Sequence, residues 1–302
     1  MFSKSKLTLV EFCKDMLPAC TNGHVEADME QRFMKIWENI WEWGKKTYIM
    51  GILNVTPDSF SDGGSYISLD AAVEQAIRMY NEGADIIDVG GETTKPGAVP
   101  VAADIEIDRV IPVIESLSKV IRIPVSVDTY RAETAELAIK AGASMVNDIW
   151  GLKHDPDMAA VIAAYRVPVC IMHNRAGGTD YGADLIGKIL FELEESISIA
   201  KNANIPDENI MIDPGIGFAK TWEQNITVMR HLEDFKKLGY PVLLGASRKS
   251  FIGKVLGLEV TDRLEGTLAA TSIGITKGID MVRVHDVLQN SRTAKMMDSM
   301  VR

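Results

Sequence analysis

The chain has 302 residues, 46% of them hydrophobic and 25% charged, with a net charge of −10. This composition is typical of a globular protein with a full core, and it excludes a chain that is disordered over most of its length. The acidic excess repels nucleic acid and anionic membrane surfaces, so we expect neither as a partner. A small-molecule substrate, including an anion held by a few local cations, stays open.

Cysteines and apolar segments indicate the compartment. The three cysteines are scattered and none lies in a CxxC pair, so we expect neither a disulfide framework nor a zinc site. The sequence has no run of 18 apolar residues and no signal-peptide pattern at its start. We therefore expect a cytoplasmic protein.

Residues 1–47 form an N-terminal extension that differs from the rest of the chain. Apolar residues near its start have a loosely helical spacing, at Leu9, Phe12, Met16 and Leu17. Three tryptophans follow further along, at Trp37, Trp41 and Trp43. We expect a short, partly helical arm that packs outside the main domain.

From residue 48 to residue 302, eight short β-branched or aliphatic runs alternate with amphipathic helical segments. The predicted strands are 48–55, 85–89, 124–128, 145–149, 168–172, 210–213, 241–245 and 281–284. The predicted helices are 69–82, 106–119, 131–141, 156–164, 185–203, 222–232, 261–276 and 287–300. Eight pairs with no element left over, and no run charged enough for an exposed edge, favour a closed (β/α)8 barrel of the α/β class over an open sheet.

The ends of the predicted strands are polar, and active sites of such barrels lie at the carboxyl ends of the strands. The polar residues there are Asn54 with Asp58 and Asp62, Glu92 with Thr94 and Lys95, Asp128, Asn147, Asp148, His173 with Asn174, Asp213, Ser247, Arg248, Lys249, Ser250, Arg283, His285 and Asp286. If the barrel is correct, these side chains converge on one mouth. The sequence therefore predicts a binding site there.

Two interpretations stay open for Asp128, Asn147 and Asp213. Each could cap the helix that follows it, as Asp and Asn commonly do. Alternatively, they recognise a flat heterocycle, whose N–H edges need carboxylate acceptors and whose ring nitrogens and carbonyls need amide donors. Apolar residues near the same strand ends, among them Ile149, Met172 and Phe218, suit the second interpretation.

Arg283 and His285 lie two residues apart on a strand, so their side chains point to the same side. They add positive charge to an acidic protein, and a guanidinium binds phosphate or pyrophosphate with two parallel hydrogen bonds. Arg283 could instead be a structural ion-pair partner of an acidic barrel residue. The glycine-rich residues 215–221 (GIGFAKT) do not match a Walker A phosphate loop, and we interpret them as a tight strand-to-helix connection.

Four segments of this sequence resemble signature motifs of the dihydropteroate synthase family. The most specific is residues 54–64 (NVTPDSFSDGG). The others occur in the same order and are 88–97 (DVGGETTKPG), 213–221 (DPGIGFAKT) and 245–253 (GASRKSFIG), followed by Arg283, Val284, His285 and Asp286. The resemblance covers about residues 48–302, the whole predicted barrel.

The resemblance implies a transferase of folate biosynthesis that condenses 6-hydroxymethyl-7,8-dihydropterin pyrophosphate with p-aminobenzoate and releases pyrophosphate. It implies a pterin site at Asp128, Asn147, Ile149, Met172, Asp213, Phe218 and Lys249. It places pyrophosphate at Asn54, Arg283 and His285, and p-aminobenzoate at Phe60, Thr94, Lys95 and Ser250. The catalytic residues that it implies are Asn54, Asp62, Lys249, Arg283 and His285. It further implies Mg²⁺ as cofactor, with Asn54 as its ligand, and a homodimer.

This sequence departs from the family pattern in the second loop, where Thr93 and Lys95 replace the frequent Ser and Arg. Lysine keeps the charge of arginine but loses its fork of donors, so the loop's contact with pyrophosphate or p-aminobenzoate is expected to be weaker. Ala219 replaces a frequent glycine, which we expect to be harmless. Two alternatives are a catalytically weak pterin-binding paralogue and a methyltetrahydrofolate–corrinoid methyltransferase, although the latter has no use for residues 247–250 (SRKS).

Overall fold

The computed structural model describes residues 33–56, 69–93 and 99–302. Within these ranges, two strands of the N-terminal extension, β1 Phe33–Ile36 and β2 Asn39–Glu42, are followed by eight further strands. These are β3 Tyr48–Asn54, β4 Ile86–Gly90, β5 Val125–Asp128, β6 Met145–Asp148, β7 Val169–Met172, β8 Ile210–Asp213, β9 Leu243–Leu244 and β10 Met281–Val284. The eight form one parallel sheet, hydrogen-bonded in the order β8-β7-β6-β5-β4-β3-β10-β9. These are the eight strands that the sequence predicts.

The sheet closes between its two end strands, β8 and β9. A parallel bridge joins Ile212 to Val242, and the Ile212 N–H donates to the Pro241 carbonyl at 3.0 Å. The predicted run 241–245 is reduced to two strand residues at this seam, partly because proline has no N–H to donate to a ladder. The (β/α)8 barrel is thereby confirmed.

Helices follow the strands and cover the outer face of the barrel. In the described ranges they are α1 Leu69–Asn81, α2 Ala103–Val120, α3 Ala132–Ala141, α4 Met158–Tyr165, α5 Leu185–Asn202, α6 Trp222–Arg230, α7 Leu232–Phe235, α8 Ser250–Leu256, α9 Leu264–Thr276 and α10 Val287–Val301. The short helices α7 and α8 were not predicted. None of the helices in these ranges is both long and apolar enough to span a membrane.

The described part of the N-terminal extension is a β-hairpin, not a helix. Strands β1 Phe33–Ile36 and β2 Asn39–Glu42 pair antiparallel, and Trp37 in the turn has a φ of 55°. Every second residue of β1 is buried, which is the two-residue period of a strand with one covered face, and Trp41 is the buried residue of β2. The helical spacing near Leu9 lies outside the described residues.

The hairpin closes the amino-terminal end of the barrel. Its buried side chains Met34, Ile36 and Trp41 pack against the first inward-pointing side chains of the strands. That apolar layer consists of Tyr48, Met50, Ile86, Met145, Cys170, Met211, Leu243 and Met281. This part of the arm therefore packs on one end of the barrel, and its apolar face adds to the apolar layer there.

The alternation along each strand determines what the barrel mouth contains. On β8, Ile212 points outward to the helices, whereas Met211 and Asp213 point inward. Two residues after the apolar layer, the inward positions therefore become polar on several strands. This change places the polar side chains at the carboxyl end, opposite the hairpin.

Candidate active site

A cavity of about 440 Å³ opens at the carboxyl end of the barrel. Its walls contain eleven of the fifteen predicted site residues: Asn54, Asp128, Asn147, Ile149, Met172, Asp213, Phe218, Lys249, Ser250, Arg283 and His285. The other four, Phe60, Asp62, Thr94 and Lys95, lie outside the described residues. Of these fifteen residues, all that the structure describes thus line one cavity.

Arg283 lies at the floor of the cavity between two carboxylates. Its Nε donates to Oδ2 of Asp88 and its Nη2 to Oδ2 of Asp128, both at 2.6 Å. Asn147 Nδ2 donates to the same Asp88 oxygen at 3.0 Å. The ion-pair interpretation of Arg283 is therefore correct, while Nη1 makes no hydrogen bond to a described residue and is left for a ligand.

Asp88 is the principal member of this network that the sequence prediction missed. It is fully buried in the middle of β4, among apolar neighbours. A buried carboxylate costs free energy unless a cation and hydrogen bonds compensate for it. A lone aspartate within an otherwise apolar strand is the signal that could have paired it with Arg283.

The two other carboxylates of the floor have raised pKa values. Burial raises the pKa of Asp128 to about 7, although the positive charge of Arg283 acts in the opposite direction. Burial likewise raises the pKa of Asp213 to about 6, opposed by a hydrogen bond from the Gly215 N–H at 2.7 Å. Raised carboxylate pKa values in a cavity are typical of groups whose acceptor oxygens await a donor.

The helix-capping interpretation is wrong for all three floor residues. No side chain caps α3, which follows Asp128. No side chain caps α4, which follows Asn147, and Thr221 caps α6, which follows Asp213. Asp128, Asn147 and Asp213 instead make hydrogen bonds within or beside the floor.

One wall of the cavity is apolar and carries a lysine. Tyr130, Ile149 and Met172 form a cluster with Phe218 packed against it. The Nζ atom of Lys249 lies 4.2 Å from the centroid of the Phe218 ring, a cation–π contact. Burial, together with the nearby charge of Arg283, lowers the pKa of Lys249 to about 8.

His285 is held in one orientation by Ser247. The His285 backbone N–H donates to Ser247 Oγ at 3.2 Å, and the same oxygen lies 3.0 Å from Nδ1. We assign the serine hydrogen to Nδ1, which leaves Nε2–H as the ring donor. Burial lowers the pKa of His285 to about 4, so the imidazole is neutral near pH 7.

Four predicted strand-end residues that the structure describes do not face the cavity. One is Asn174, whose Oδ1 accepts from the Arg175 N–H at 2.9 Å. Asp148 accepts hydrogen bonds from the Trp150 and Leu152 N–H groups and shapes the next turn. Asp286 holds the Arg248 guanidinium with two bonds, of 2.9 and 2.5 Å. His173 bonds to Glu192 and Lys220 behind the floor. Their convergence on the mouth was wrongly predicted, because a strand-end position alone does not fix the direction of a side chain.

Two further residues complete the rim. Glu92 accepts from Tyr130 Oη at 3.0 Å and pairs with Arg131 at 2.9 Å, next to the second predicted loop. Arg263 lines the cavity and donates to the Arg248 carbonyl at 3.1 Å. Arg263 precedes α9 and follows no strand, so reading the strand ends could not find it.

Comparisons with known proteins agree with this geometry. Residues 50–285 match the family model described as pterin binding enzyme. The dihydropteroate synthase of Clostridium beijerinckii is 57% identical over 270 residues, which are 89% of this chain and 100% of that protein.

Two solved structures are also similar. Dihydropteroate synthase from Clostridium difficile, solved in the presence of pteroic acid, is 54% identical and superposes with a TM-score of 0.84 over 87% of this chain and 99% of that one. The Xanthomonas albilineans enzyme with 4-aminobenzoic acid is 38% identical, with a TM-score of 0.85 over 89% and 98%.

A closed barrel with buried carboxylates, an amide and an arginine at its mouth, matched by that family model, defines a pterin-binding enzyme. Sequence identity of 57% and 54% over 100% and 99% of the length of two relatives narrows the class of enzyme further. The chain belongs to the dihydropteroate synthase family, the transferases that condense a pterin with p-aminobenzoate in folate synthesis.

Proposed function

We propose that the cavity divides the dihydropteroate synthase reaction among three regions. The floor holds the pterin, Arg283 of the floor together with His285 holds pyrophosphate, and the mouth holds p-aminobenzoate. The observation that carries this proposal is the meeting of Asp128, Asp213 and Arg283 in one cavity with an apolar wall. A flat, hydrogen-bonding ring with a polyanionic leaving group needs that combination.

In this proposal, Asp213 accepts hydrogen bonds from the N–H edge of the pterin. Its Oδ1 is held by Gly215, so Oδ2 is the oxygen directed to the ligand. Asn147 and Asp128 contact the other ring edge, while Ile149, Met172 and Phe218 pack on its faces together with the aliphatic stem of Lys249. Ionised carboxylates accept two N–H groups each, so pterin binding stabilises their charged forms.

Pyrophosphate lies against Arg283 Nη1 and the Nε2–H of His285. Arg283 is charged at every working pH, since the adjacent Asp88 and Asp128 carboxylates raise its pKa well above the usual value. The neutral imidazole donates a hydrogen bond without competing for a proton. Both groups are fixed before the substrate arrives, so they stabilise the charge of the departing pyrophosphate with little reorganisation.

Mg²⁺ is the cofactor that we propose, with Asn54 as its protein ligand. Among the described residues no group of three His, Cys, Asp or Glu side chains is arranged to hold a metal. The Asn54 side-chain oxygen and the pyrophosphate of the substrate are donors that suit Mg²⁺, which commonly keeps several waters and binds through one or two protein oxygens plus substrate phosphates. Bound there, Mg²⁺ would neutralise charge on the leaving pyrophosphate.

The chemistry needs no strong base in the protein. The electron-rich pterin shares the positive charge that develops on its exocyclic methylene as the C–O bond to pyrophosphate breaks. The neutral amine of p-aminobenzoate then forms the C–N bond and loses a proton. Orientation of the two substrates is the main task of the residues, with Lys249 and Ser250 bordering p-aminobenzoate. Phe60, Thr94, Lys95 and Asp62 keep their proposed roles from the sequence.

We further propose a homodimer in the cytoplasm. Helices α9 and α10 pack side by side, and they expose the large apolar side chains of Ile273, Met296 and Met300. Apolar groups exposed on neighbouring helices are typical of a subunit interface. Light scattering on the purified protein would test the dimer, since a monomer at micromolar concentration would contradict it.

The proposed function is tested by incubating the purified protein with Mg²⁺, the pterin pyrophosphate and p-aminobenzoate. We expect 7,8-dihydropteroate and one pyrophosphate for each turnover. Leaving out either substrate or adding EDTA is the control, and each should stop product formation. Tight pterin binding without product would contradict the synthase and favour the pterin-binding paralogue.

A further inference from the structure

The loop of residues 214–220 joins β8 to α6 and positions two side chains of the proposed pterin site, Asp213 and Phe218. At its start, the Gly215 N–H fixes the Asp213 carboxylate, and further along Phe218 presents its ring to the cavity. Lys220 ends the loop but does not line the cavity. Its side chain is turned inward and only 9% of the residue is exposed.

The ammonium group of Lys220 binds three acceptors behind the floor. Nζ lies 2.8 Å from Nδ1 of His173, 3.0 Å from the Gly215 carbonyl oxygen and 3.2 Å from the Phe218 carbonyl oxygen. An ammonium has three N–H donors, so each has a partner. Two of the three bonds hold the main chain of the residues that position the floor.

His173 connects Lys220 to a buried carboxylate. Its Nε2 lies 2.8 Å from Oε2 of Glu192, an acceptor, so Nε2 carries the hydrogen and Nδ1 accepts from Lys220. Burial, together with the charge of Lys220, lowers the pKa of His173 to about 2, so the ring is neutral. A cation, a neutral imidazole and a carboxylate thus form one hydrogen-bonded chain.

The loop fits closely against this chain. Gly215 has a φ of +71°, and a side chain there would bring its Cβ to 2.0 Å from the His173 carbonyl oxygen. The residue therefore has to be glycine, and its peptide is clamped at both ends. Its N–H donates to Asp213 while its carbonyl accepts from Lys220. Movement of Lys220 would thus be transmitted directly to the Asp213 carboxylate.

We propose that Lys220 is a positioning residue for pterin binding, which holds Asp213 and Phe218 in place from behind the floor with His173 and Glu192 as its support. This inference rests on the proposed function, in which Asp213 and Phe218 hold the pterin. Lys220 makes no contact with the substrate in this account. It acts through the loop.

Charges around Lys220 explain why Glu192 is needed. Burial, with smaller contributions from the charges of Lys249 and Arg175, lowers the pKa of Lys220 to about 7. Asp213 and Glu192 act in the opposite direction and hold the proton on Nζ. His173 is neutral and takes no part in the titration. Without the Glu192 charge, Lys220 would lose its proton at a lower pH. The neutral amine would then donate only two of the three hydrogen bonds.

The first test compares Lys220→Met with Lys188→Met by calorimetric titration of 6-hydroxymethylpterin. Lys188 is the matched control, because it lies 3.6 Å from Glu192 but is 43% exposed and touches no part of the loop. We expect Lys220→Met to raise the Kd of the pterin at least fivefold and to leave the KM of p-aminobenzoate within threefold. Lys188→Met should change neither.

A smaller rise in Kd for folded Lys220→Met would overturn the inference. Asp213→Ala serves as a reference that separates this failure from failure of the proposed function. If Asp213→Ala binds pterin normally, the floor assignment and the role of Lys220 both fall. If only Asp213→Ala loses binding, the role of Lys220 alone falls.

Glu192→Gln provides the second test, which holds even if Lys220→Met does not fold. The glutamine keeps an acceptor for His173 but removes the charge. We expect the pterin Kd of Glu192→Gln to be at least twofold higher than that of the unmodified protein at pH 6.5, with a smaller difference at pH 8.5, where Lys220 is neutral in both proteins. Equal Kd values at pH 6.5 would contradict the support role of Glu192 and the inference with it.

Discussion

The inward-pointing side chains of the strands have different roles at the two ends of the barrel. At the amino end, Met211 and Met281 belong to an apolar layer that the hairpin covers. Two residues further along the same strands, Asp213 and Arg283 form the polar floor of the cavity. One strand period, about 7 Å, therefore separates an apolar layer that only stabilises the fold from polar residues that face the ligand.

The largest expected effect is on Arg283, which belongs to the binding end and yet stabilises the fold. Arg283→Met leaves Asp88 and Asp128 buried without their cation, and breaking a buried pair in this way typically costs about 3–5 kcal/mol. Urea unfolding at pH 8 should show this loss. The loss should be smaller at pH 6, where Asp128 can take up a proton.

The matched control for Arg283→Met is Arg248→Met. Arg248 pairs with Asp286 nearer the surface, with side chains 29% and 16% exposed. Its loss should cost no more than about 1 kcal/mol, as for a partly exposed pair. Equal losses for the two variants would contradict the distinction between floor and rim.

Trp41→Ala tests the amino end. Trp41 stacks on Tyr48 with ring centroids 4.3 Å apart and is 3% exposed. Truncation of a buried tryptophan costs about 3 kcal/mol, which should lower Tm by roughly 6–12 °C. The kcat and KM values at 25 °C should stay within twofold, and a large loss of kcat in the folded variant would show that the two ends are not independent.

These two regions also show how much the sequence could predict. Short β-branched or aliphatic runs between amphipathic helical segments predict all eight strands, because barrel strands are buried on both faces and therefore apolar along most of their length. The hairpin was not predicted as a strand pair, since four-residue strands give too short a pattern beside three tryptophans. Its burial depends on the barrel end that it covers, which no local pattern describes.

The sequence predicts the site residues whose role follows from their position at the end of a strand. It does not predict the residues whose role depends on contact with a residue that is distant in sequence. Asn147 and Asp213 were found because polar residues at strand ends converge. His173 was assigned to the mouth although it faces Glu192 and Lys220. The partner of Arg283, Asp88, is 195 positions away in sequence, and that pairing exists only after the barrel has closed.

A pH titration should show a smaller effect at the binding end. Asp213 has a pKa raised to about 6 by burial, and its ionised form is the acceptor for the pterin N–H groups. Affinity is therefore present above pH 6 and is lost as the pH falls through that value. Kd should rise about tenfold between pH 7.5 and pH 5. Asp213→Asn should lose most of this dependence, and an equal slope in that variant would assign it to another group.

Ala219→Gly is expected to give the smallest effect. Ala219 has a φ of +46°, in the left-handed region that glycine adopts without strain. The family resemblance led us to expect this alanine to be harmless, but its conformation indicates a small cost. Glycine should stabilise the fold by about 0.5 kcal/mol, net of its greater freedom when unfolded. Thermal unfolding checks this, and a lower Tm would show that the loop tolerates alanine without strain.

Asp213 is the floor residue that we assign to pterin binding alone, with little contribution to the stability of the fold. Calorimetric titration of 6-hydroxymethylpterin into Asp213→Ala, with a thermal unfolding curve of the same sample, tests it most directly. The account predicts at least a hundredfold loss of affinity, about 2.7 kcal/mol, and a Tm within about 3 °C of the unmodified protein. Normal affinity would contradict the assignment of the floor, and a large fall in Tm would contradict the separation of the two ends.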